Sequence, residues 1–252
     1  MSGAAFIDLN ADVGEGSGSD AELVPLVTSV NIACGAHAGD PATMRRTVAL
    51  ALSHGVAIGA HPGFGDRVNF GRREVALEPG AAGALVVGQV AELVAIAAPL
   101  GARVGHVKLH GALYNMAARD GALAAEIAGA LAGAMRAGGA DWALVGPAGS
   151  KLLSAGRERG LRVRSEAFAD RSYGSDGMLR PRSEAGSVIA DAAAAVRQAL
   201  RIASEGIVTA SDGTEVPIAA DTLCIHGDSP GAAEFARQIR AALAAAGIAV
   251  RC

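Results

Sequence analysis

Short apolar runs alternate with helix-spaced segments from one end of this 252-residue chain to the other, and that serial alternation constrains the fold more than any other feature. Strand candidates are Phe6–Asn10, Val30–Cys34, Val56–Ala60, Val107–Leu109, Ala143–Val145, Leu161–Glu166 and Leu223–His226. Between them lie helical spacings such as Met44, Val48, Leu52 and Phe235, Ile239, Leu243. Start and stop signals agree. Ser19 with Glu22 reads as a capping box, and Asp40-Pro41 and Ser229-Pro230 each place a cap residue before a first-turn proline. Gly55, Gly160 and Gly247 stand where helices are expected to end. Strand–helix units in series imply parallel strands with right-handed crossovers.

No Pro/Ser-rich linker divides the chain, so residues 1–252 read as one α/β domain. Ser211-Asp212-Gly213-Thr214 between β-branched residues breaks the pattern and reads as a small hairpin near 207–217. A doubly wound open sheet is the alternative architecture. A closed seven-stranded parallel (β/α) barrel is preferred, because chemistry-bearing residues follow almost every strand instead of gathering at one switch point.

Composition narrows the partners. Aromatic residues are only 3% of the chain, so the core must come from Ala, Val, Leu and Ile. The most apolar stretch, Ala81 to Leu100, carries Gln89, Glu92 and two glycines, and reads as a buried helix and not a membrane span. Three cysteines without paired spacing form no disulfide framework, which points to a reducing, cytoplasmic setting. A net charge of −3 without a basic stripe excludes nucleic acid as an expected partner. The N-terminus shows no signal-peptide pattern, so neither membrane nor export is expected.

Residues two apart on a strand share a face. Asp8, Asn10 and Asp12 therefore stand together, as do His106, Lys108 and His110, and then Cys224, His226 and Asp228. Burying three such ladders without partners is costly, so the economical reading is a shared polar pocket at the barrel mouth. His61 and His110 lie just past strand ends, with His37 a few residues past another. His54 sits at a helix end, where capping is the better account. Asp12, His37 and His61 make an Asp-His-His set of the kind that binds a divalent metal. No HExxH occurs, and a metal-free histidine–carboxylate site is placed ahead of it.

Of the 22 basic residues only Lys108 and Lys151 are lysines. Lys108, flanked by valine and leucine, is either a snorkelling edge residue or a charge held in the site; the site reading is preferred. On that reading Lys108→Met lowers the rate with little effect on folding. Lys151 follows Gly146–Ser150 at a helix start, a candidate anion nest. There is no GxxxxGK[ST] loop and no GxGxxG. Gly14–Gly18 reads as a flexible active-site loop. Two longer loops, His61–Arg73 and Phe168–Arg182, mix glycines, charges and an aromatic as lids do.

At these residues the chain resembles the LamB/YcsF family. The matching segments are IDLNADVGEG (Ile7–Gly16), NIACGAHAGDP (Asn31–Pro41), GVAIGAHPGFGDRVNFGRR (Gly55–Arg73), HVKLHGALYN (His106–Asn115), EAFADRSYGSDGMLRPRS (Glu166–Ser183) and CIHGDSP (Cys224–Pro230). They occur in family order across essentially the whole chain. Ala36, where the family usually has an aromatic, and Leu109, where it usually has proline, are departures that bear on substrate fit.

The resemblance implies a barrel similar to carbohydrate deacetylases. It also implies ATP-dependent opening of the lactam of 5-oxo-L-proline to L-glutamate, together with 5-oxoprolinase subunits B and C. In that picture B and C phosphorylate the lactam oxygen and this chain converts the product. ATP binding and consumption belong to the complex, and no organic cofactor is expected on this chain; a divalent metal is left open. Catalytic residues are then expected at Asp12, His61, Lys108 and His110. Substrate contacts are expected at Asn10, Asn31, His37, Arg67, Tyr114, Asn115, Glu166, Asp170, Arg171, Tyr173, His226 and Asp228. Side-chain chemistry suggests Asp12, with His61, as general base on water, and Lys108 with His110 as stabilisers of the anion. Two rival readings are a metal-dependent deacetylase on the same barrel and a non-catalytic binding subunit.

Overall fold

Alternation within the first strand sets the plan of the whole molecule. In β1 (Phe6–Val13), Ile7, Leu9, Ala11 and Val13 join the aliphatic core, while Asp8, Asn10 and Asp12 hydrogen-bond to residues of other strands. The structure, a computed structural model, describes residues 6–226 and 231–252. After β1 come α1 (Asp20–Leu23), β2 (Ser29–Ala33), α2 (Pro41–Ser53), β3 (Ala57–His61), α3 (Ala81–Ala97) and β4 (Val104–Lys108). Then follow α4 (Gly111–Arg119), α5 (Gly121–Gly138), β5 (Ala143–Pro147), α6 (Lys151–Glu158), β6 (Arg162–Phe168) and α7 (Ala192–Glu205). The chain ends with β7 (Ile207–Thr209), β8 (Glu215–Pro217), β9 (Thr222–His226), α8 (Ala232–Ala245) and β10 (Ala249–Val250).

Strands β1, β2, β3, β4, β5, β6 and β9 lie side by side in that order, all parallel, and β9 pairs back onto β1. The barrel of seven strands is therefore closed and has no open edge. Outside it, β10 adds to the start of β1, with Phe6 opposite Ala249. β7 and β8 form a separate antiparallel hairpin.

Local signals acted as their chemistry dictates, with one exception. The Asp40 side chain accepts a hydrogen bond from the Thr43 amide, with Pro41 opening α2. Ser19 does not form the expected capping box: its hydroxyl pairs with that of Ser17, and the one-turn α1 runs straight into a 3-10 turn containing Pro25. The Ser229-Pro230 signal lies outside the described residues. α3 and its terminal turn, Ala81–Leu100, are long and apolar enough to cross a membrane, with a mean hydropathy of 1.9. Ala82, Val86, Val90, Leu93 and Ala97 bury one face of this helix, so it is half covered and not wholly buried. Gln89 ties it to the loop after β3, donating to the Gly63 carbonyl and accepting from the Gly63 amide.

One glycine is demanded by the barrel interior. A Cβ on Gly59 of β3 would lie 2.1 Å from Nε2 of His106 on β4. The register between the two strands shifts at this point.

Candidate active site

The inward-facing side chains form stacked polar layers inside the barrel. At the bottom, Asp8 accepts from Thr28 (2.6 Å), Ser29 (2.7 Å) and Thr222 (2.7 Å). In the middle, the Asn31 amide nitrogen donates to Asn10 Oδ1 and to Asp12 Oδ1, both at 2.8 Å. Nε2 of His106 donates to Asn31 Oδ1 (2.9 Å). The Asn10 amide donates to Glu166 Oε1 (3.0 Å) and Thr222 Oγ1 (2.7 Å). Each buried polar group named here has a partner, which is the condition for placing such groups in a core.

At the top stands Lys108, whose whole side chain is buried, at 2% exposure. Its ammonium lies 2.8 Å from Glu166 Oε1 and 2.9 Å from Asp12 Oδ1, with Cys224 Sγ at 3.1 Å and the Phe168 ring centroid at 5.4 Å. Burial opposes the charge, but the Asp12 and Glu166 carboxylates outweigh it and raise the Lys108 pKa well above its ordinary value. Lys108 is therefore a held cation. The Tyr114 hydroxyl donates to Glu166 Oε2 (2.5 Å), and burial beside that carboxylate raises the phenol's pKa well above the ordinary range.

Beside this layer, where β1, β2, β3 and β4 end, four side chains converge. Oε1 of Glu15 lies 3.2 Å from His37 Nε2, 3.3 Å from His110 Nδ1 and 3.7 Å from His61 Nε2. The His37 and His110 rings stack in parallel at 3.7 Å, and His61 stands edge-on to both. His61 Nε2 also lies 3.4 Å from Asp12 Oδ2. Burial opposes the Glu15 charge, yet His110 and His37 outweigh it and hold the carboxyl far below the usual range. Burial pushes the His37 imidazole down to about 4 and lowers that of His110 as well. For His61 burial is outweighed by Asp12, and its pKa is raised.

The turn after β3 closes over the rings. Phe70 adopts a left-handed φ of 54°, an uncommon conformation for an aromatic residue. In that conformation its carbonyl accepts from His110 Nε2 (2.9 Å), and its ring packs edge-on against His37 and His110. Strain of this kind concentrates where surrounding contacts over-determine the backbone.

A cavity of about 630 Å³ opens above these groups. Asp12, Glu15, His61, Lys108 and His110 lie at its base, with Tyr114, Asn115 and Phe168 on its wall. Arg72, Arg119, Arg171, Arg180 and Arg182 line it together with Glu74 and Asp176, and with Arg119 paired to Glu74 and Arg180 to Glu184 the excess charge around it is positive. Arg171 is fixed by its own donors, to the carbonyls of Ser187 (3.1 Å) and Arg180 (2.5 Å).

The expected residues thus separate into groups. Asp12, His61, Lys108, His110, Tyr114, Asn115 and Arg171 reach the cavity. Asn10, Asn31 and Glu166 lie beneath it and position Lys108 and Asp12. His37 is buried behind His110. Tyr173 is buried, its hydroxyl accepting from the Phe168 amide, and Asp170 is also buried. Arg67 is exposed and clamps the Gly35 and Gly39 carbonyls. His226 closes β9 opposite Asp12 in register, and Asp228 lies outside the described residues. His106 and His110, four apart in sequence, separate because a strand and not a helix joins them: one binds Asn31, the other joins the cluster. Ser150 caps α6, accepting from the Leu153 amide, and Lys151 is exposed and does not line the cavity.

Sequence reasoning missed Glu15, the centre of the histidine cluster. Its signal was present, as the one carboxylate in the Gly14–Gly18 loop directly after the first polar ladder. The same loop gives a candidate metal-ligand set of Glu15, His37, His61 and His110, with ligand atoms within 4.8 Å of one another, in place of Asp12, His37 and His61. Asp12 is engaged by Lys108 and Asn31.

Residues 7–252 match the model of the LamB/YcsF family. The 5-oxoprolinase A subunit of Methylococcus capsulatus is 52% identical over 98% of this chain and 95% of its own length. That of Bordetella pertussis is 52% identical over 97% of this chain and 98% of its own. The crystal structure of a lactam utilization protein from Thermus thermophilus superposes with a TM-score of 0.88 at 48% identity, covering 98% of this chain and 99% of that one.

Proposed function

This chain belongs to the LamB/YcsF family, and from that premise we propose that it is the A component of an ATP-dependent 5-oxoprolinase, opening the lactam of 5-oxo-L-proline to L-glutamate. The observation that carries the reading is a fully buried ammonium at the base of a small, arginine-ringed cavity. A cavity of about 630 Å³ suits a small ring compound. The excess of arginines in its lining, Arg72 and Arg182 among them, suits an anion bearing a carboxylate and, after activation, a phosphate. In this proposal 5-oxoprolinase subunits B and C use ATP to phosphorylate the lactam oxygen in the cytoplasm, and this chain receives the product. Among the described residues nothing forms a phosphate loop of the Walker type, so ATP chemistry is assigned to the partners.

Each residue then has a task. Lys108, held between Asp12 and Glu166, presents a preorganised charge to oxygen as negative charge develops there. Asp12, with His61 at 3.4 Å, takes the proton from the attacking water. The ring C–N bond breaks and the departing nitrogen takes up a proton, leaving γ-glutamyl phosphate, which a second water hydrolyses to L-glutamate and inorganic phosphate. Arg171 and its neighbouring arginines hold the anionic groups.

The test is glutamate formation from 5-oxoproline and ATP by the wild-type chain and Asp12→Asn, with and without subunits B and C. Formation that requires all three proteins and is lost in Asp12→Asn supports the proposal. Full activity of Asp12→Asn supports a non-catalytic binding role instead. The Glu15–histidine cluster favours one other reading, a metal-dependent deacetylase on this barrel. Release of acetate from an N-acetyl substrate without B, C or ATP would establish it.

A further inference from the structure

The hydrogen bonds around the histidine cluster assign its tautomers, and those tautomers leave a conflict. Nδ1 of His61 lies 2.8 Å from the Lys108 carbonyl, and Nε2 of His110 lies 2.9 Å from the Phe70 carbonyl. A carbonyl only accepts, so each of these nitrogens carries the ring proton. As neutral rings they present lone pairs at His61 Nε2 and His110 Nδ1, and either a second proton on His61 Nε2, which Asp12 at 3.4 Å favours, or a bound cation must stand between them. These two atoms face each other at 2.9 Å. Glu15 Oε1, a third acceptor, stands 3.7 Å and 3.3 Å from them. His37 Nε2 completes the group at 3.2 Å from the carboxylate, and because His37 Nδ1 has no hydrogen-bond partner among the described residues, no contact there dictates that ring's tautomer. Converging lone pairs and a carboxylate in a buried position repel one another unless a positive species lies among them.

We propose that Glu15, His37, His61 and His110 form a binding site for one divalent transition-metal cation of the zinc type. The donor set, three imidazoles and one carboxylate, selects such an ion over magnesium or calcium, which take oxygen ligands. Four ligands about 2.0–2.2 Å from a tetrahedral ion lie roughly 3.4 Å apart. The separations from Glu15 to the three rings, 3.2 to 3.7 Å, are near that spacing, while the 2.9 Å between His61 Nε2 and His110 Nδ1 and the overall spread within 4.8 Å mean that the rings shift slightly as an ion enters. Outer contacts are in place too: the bonds from His61 to the Lys108 carbonyl and from His110 to the Phe70 carbonyl orient the two rings as metal-bound histidines are oriented. Such a cation would supply a Lewis acid at the base of the cavity, beside Asp12 and Lys108. The inference rests on ring geometry and not on the lactam reaction, so metal binding and lactam activity are read separately.

The test uses the full chain, purified without chelator. Elemental analysis should find close to one zinc-type ion per chain. After stripping, titration with zinc chloride should restore one equivalent and raise the melting temperature, and cobalt chloride should give the visible absorption of a four-coordinate ion. Glu15→Gln, nearly isosteric and in a loop, and His61→Asn should each weaken binding by at least about 10–100-fold, the loss expected even for supporting residues of metal sites. His54→Gln, at the exposed end of α2, should bind as the wild type does. A folded wild-type chain that takes up neither zinc nor cobalt would overturn the proposal and leave a shared proton to resolve the lone-pair conflict. Undiminished binding in a folded Glu15→Gln variant would also overturn it.

Discussion

Lys108 carries more of the structure than a rim lysine would. Removing it leaves the buried carboxylates of Asp12 and Glu166 without their shared cation, though still hydrogen-bonded by Asn31, Asn10 and Tyr114, and breaking a buried pair from one side costs roughly 3–5 kcal/mol. The sequence-based expectation that Lys108→Met leaves folding nearly unchanged therefore gives way. Lys108→Met should lower the urea midpoint as well as coupled glutamate release, the latter by on the order of 10²–10³-fold. Lys108→Arg keeps the charge but places a longer planar group in a filled layer. It should restore part of the stability and little of the rate. Near-wild-type kcat in either folded variant would remove Lys108 from the reaction. His106 adds a pH-dependent term. Burial, only partly opposed by Asp8, takes its pKa from the ordinary 6.5 down to about 4, so the folded protein holds the ring neutral. Unfolding frees the ring to bind a proton, and the unfolded state binds more protons between those two values. Stability from His106 is full above pH 6.5 and is lost as pH falls toward about 4. His106→Gln should flatten that part of the acid limb in urea melts run at a series of pH values. An unchanged slope would contradict the assignment.

At the scale of elements, two glycines set distances that no side chain tolerates. Gly59→Ala places a methyl 2.1 Å from His106 Nε2, which is anchored on Asn31. Overpacking of this kind costs about 1–3 kcal/mol or somewhat more, and a lowered melting temperature should report it. Gly71 has a φ of 63°, and a Cβ there would lie 2.9 Å from the His37 Cβ and 3.1 Å from His110 Cδ2. Gly71→Ala combines a left-handed backbone penalty of about 1 kcal/mol with displacement of the ring stack. Coupled activity should fall far more than the melting temperature does. Equal losses in both would show that the turn after β3 serves the fold and not the rings.

For the whole molecule, barrel closure between β9 and β1 brings Asp12, Lys108 and Glu166 together across more than 150 residues of sequence. The site therefore has no separable half. Its dependence on partners is also a property of the whole. The purified chain alone should neither hydrolyse ATP nor open 5-oxoproline at an appreciable rate, and adding subunits B and C should produce both activities. Robust ATP turnover by the isolated chain would reassign its role, with Gly146–Lys151 the first segment to test by substitution.

Periodicity was enough to reveal the barrel, because a strand buried on both faces still alternates, with Ile7, Leu9 and Ala11 toward the helices and Asp8, Asn10 and Asp12 inward. Family motifs were enough to bring most of the candidate positions into view. Depth was not legible. Asn10 and Asp12 share one face and one chemical class, yet Asn10 lies beneath the cavity and Asp12 at its base. That difference comes from register between strands, and register depends on partners remote in sequence. Glu15 was hidden for the same reason. A glycine-rich loop has no periodicity to read, and only the packing of the β1, β2, β3 and β4 ends brings its carboxylate against three histidines, each from a different segment. Sequence determined which groups were available and on which face they stand; closure of the barrel decided which of them meet, because contact energies depend on distances that the chain acquires only when its strands close.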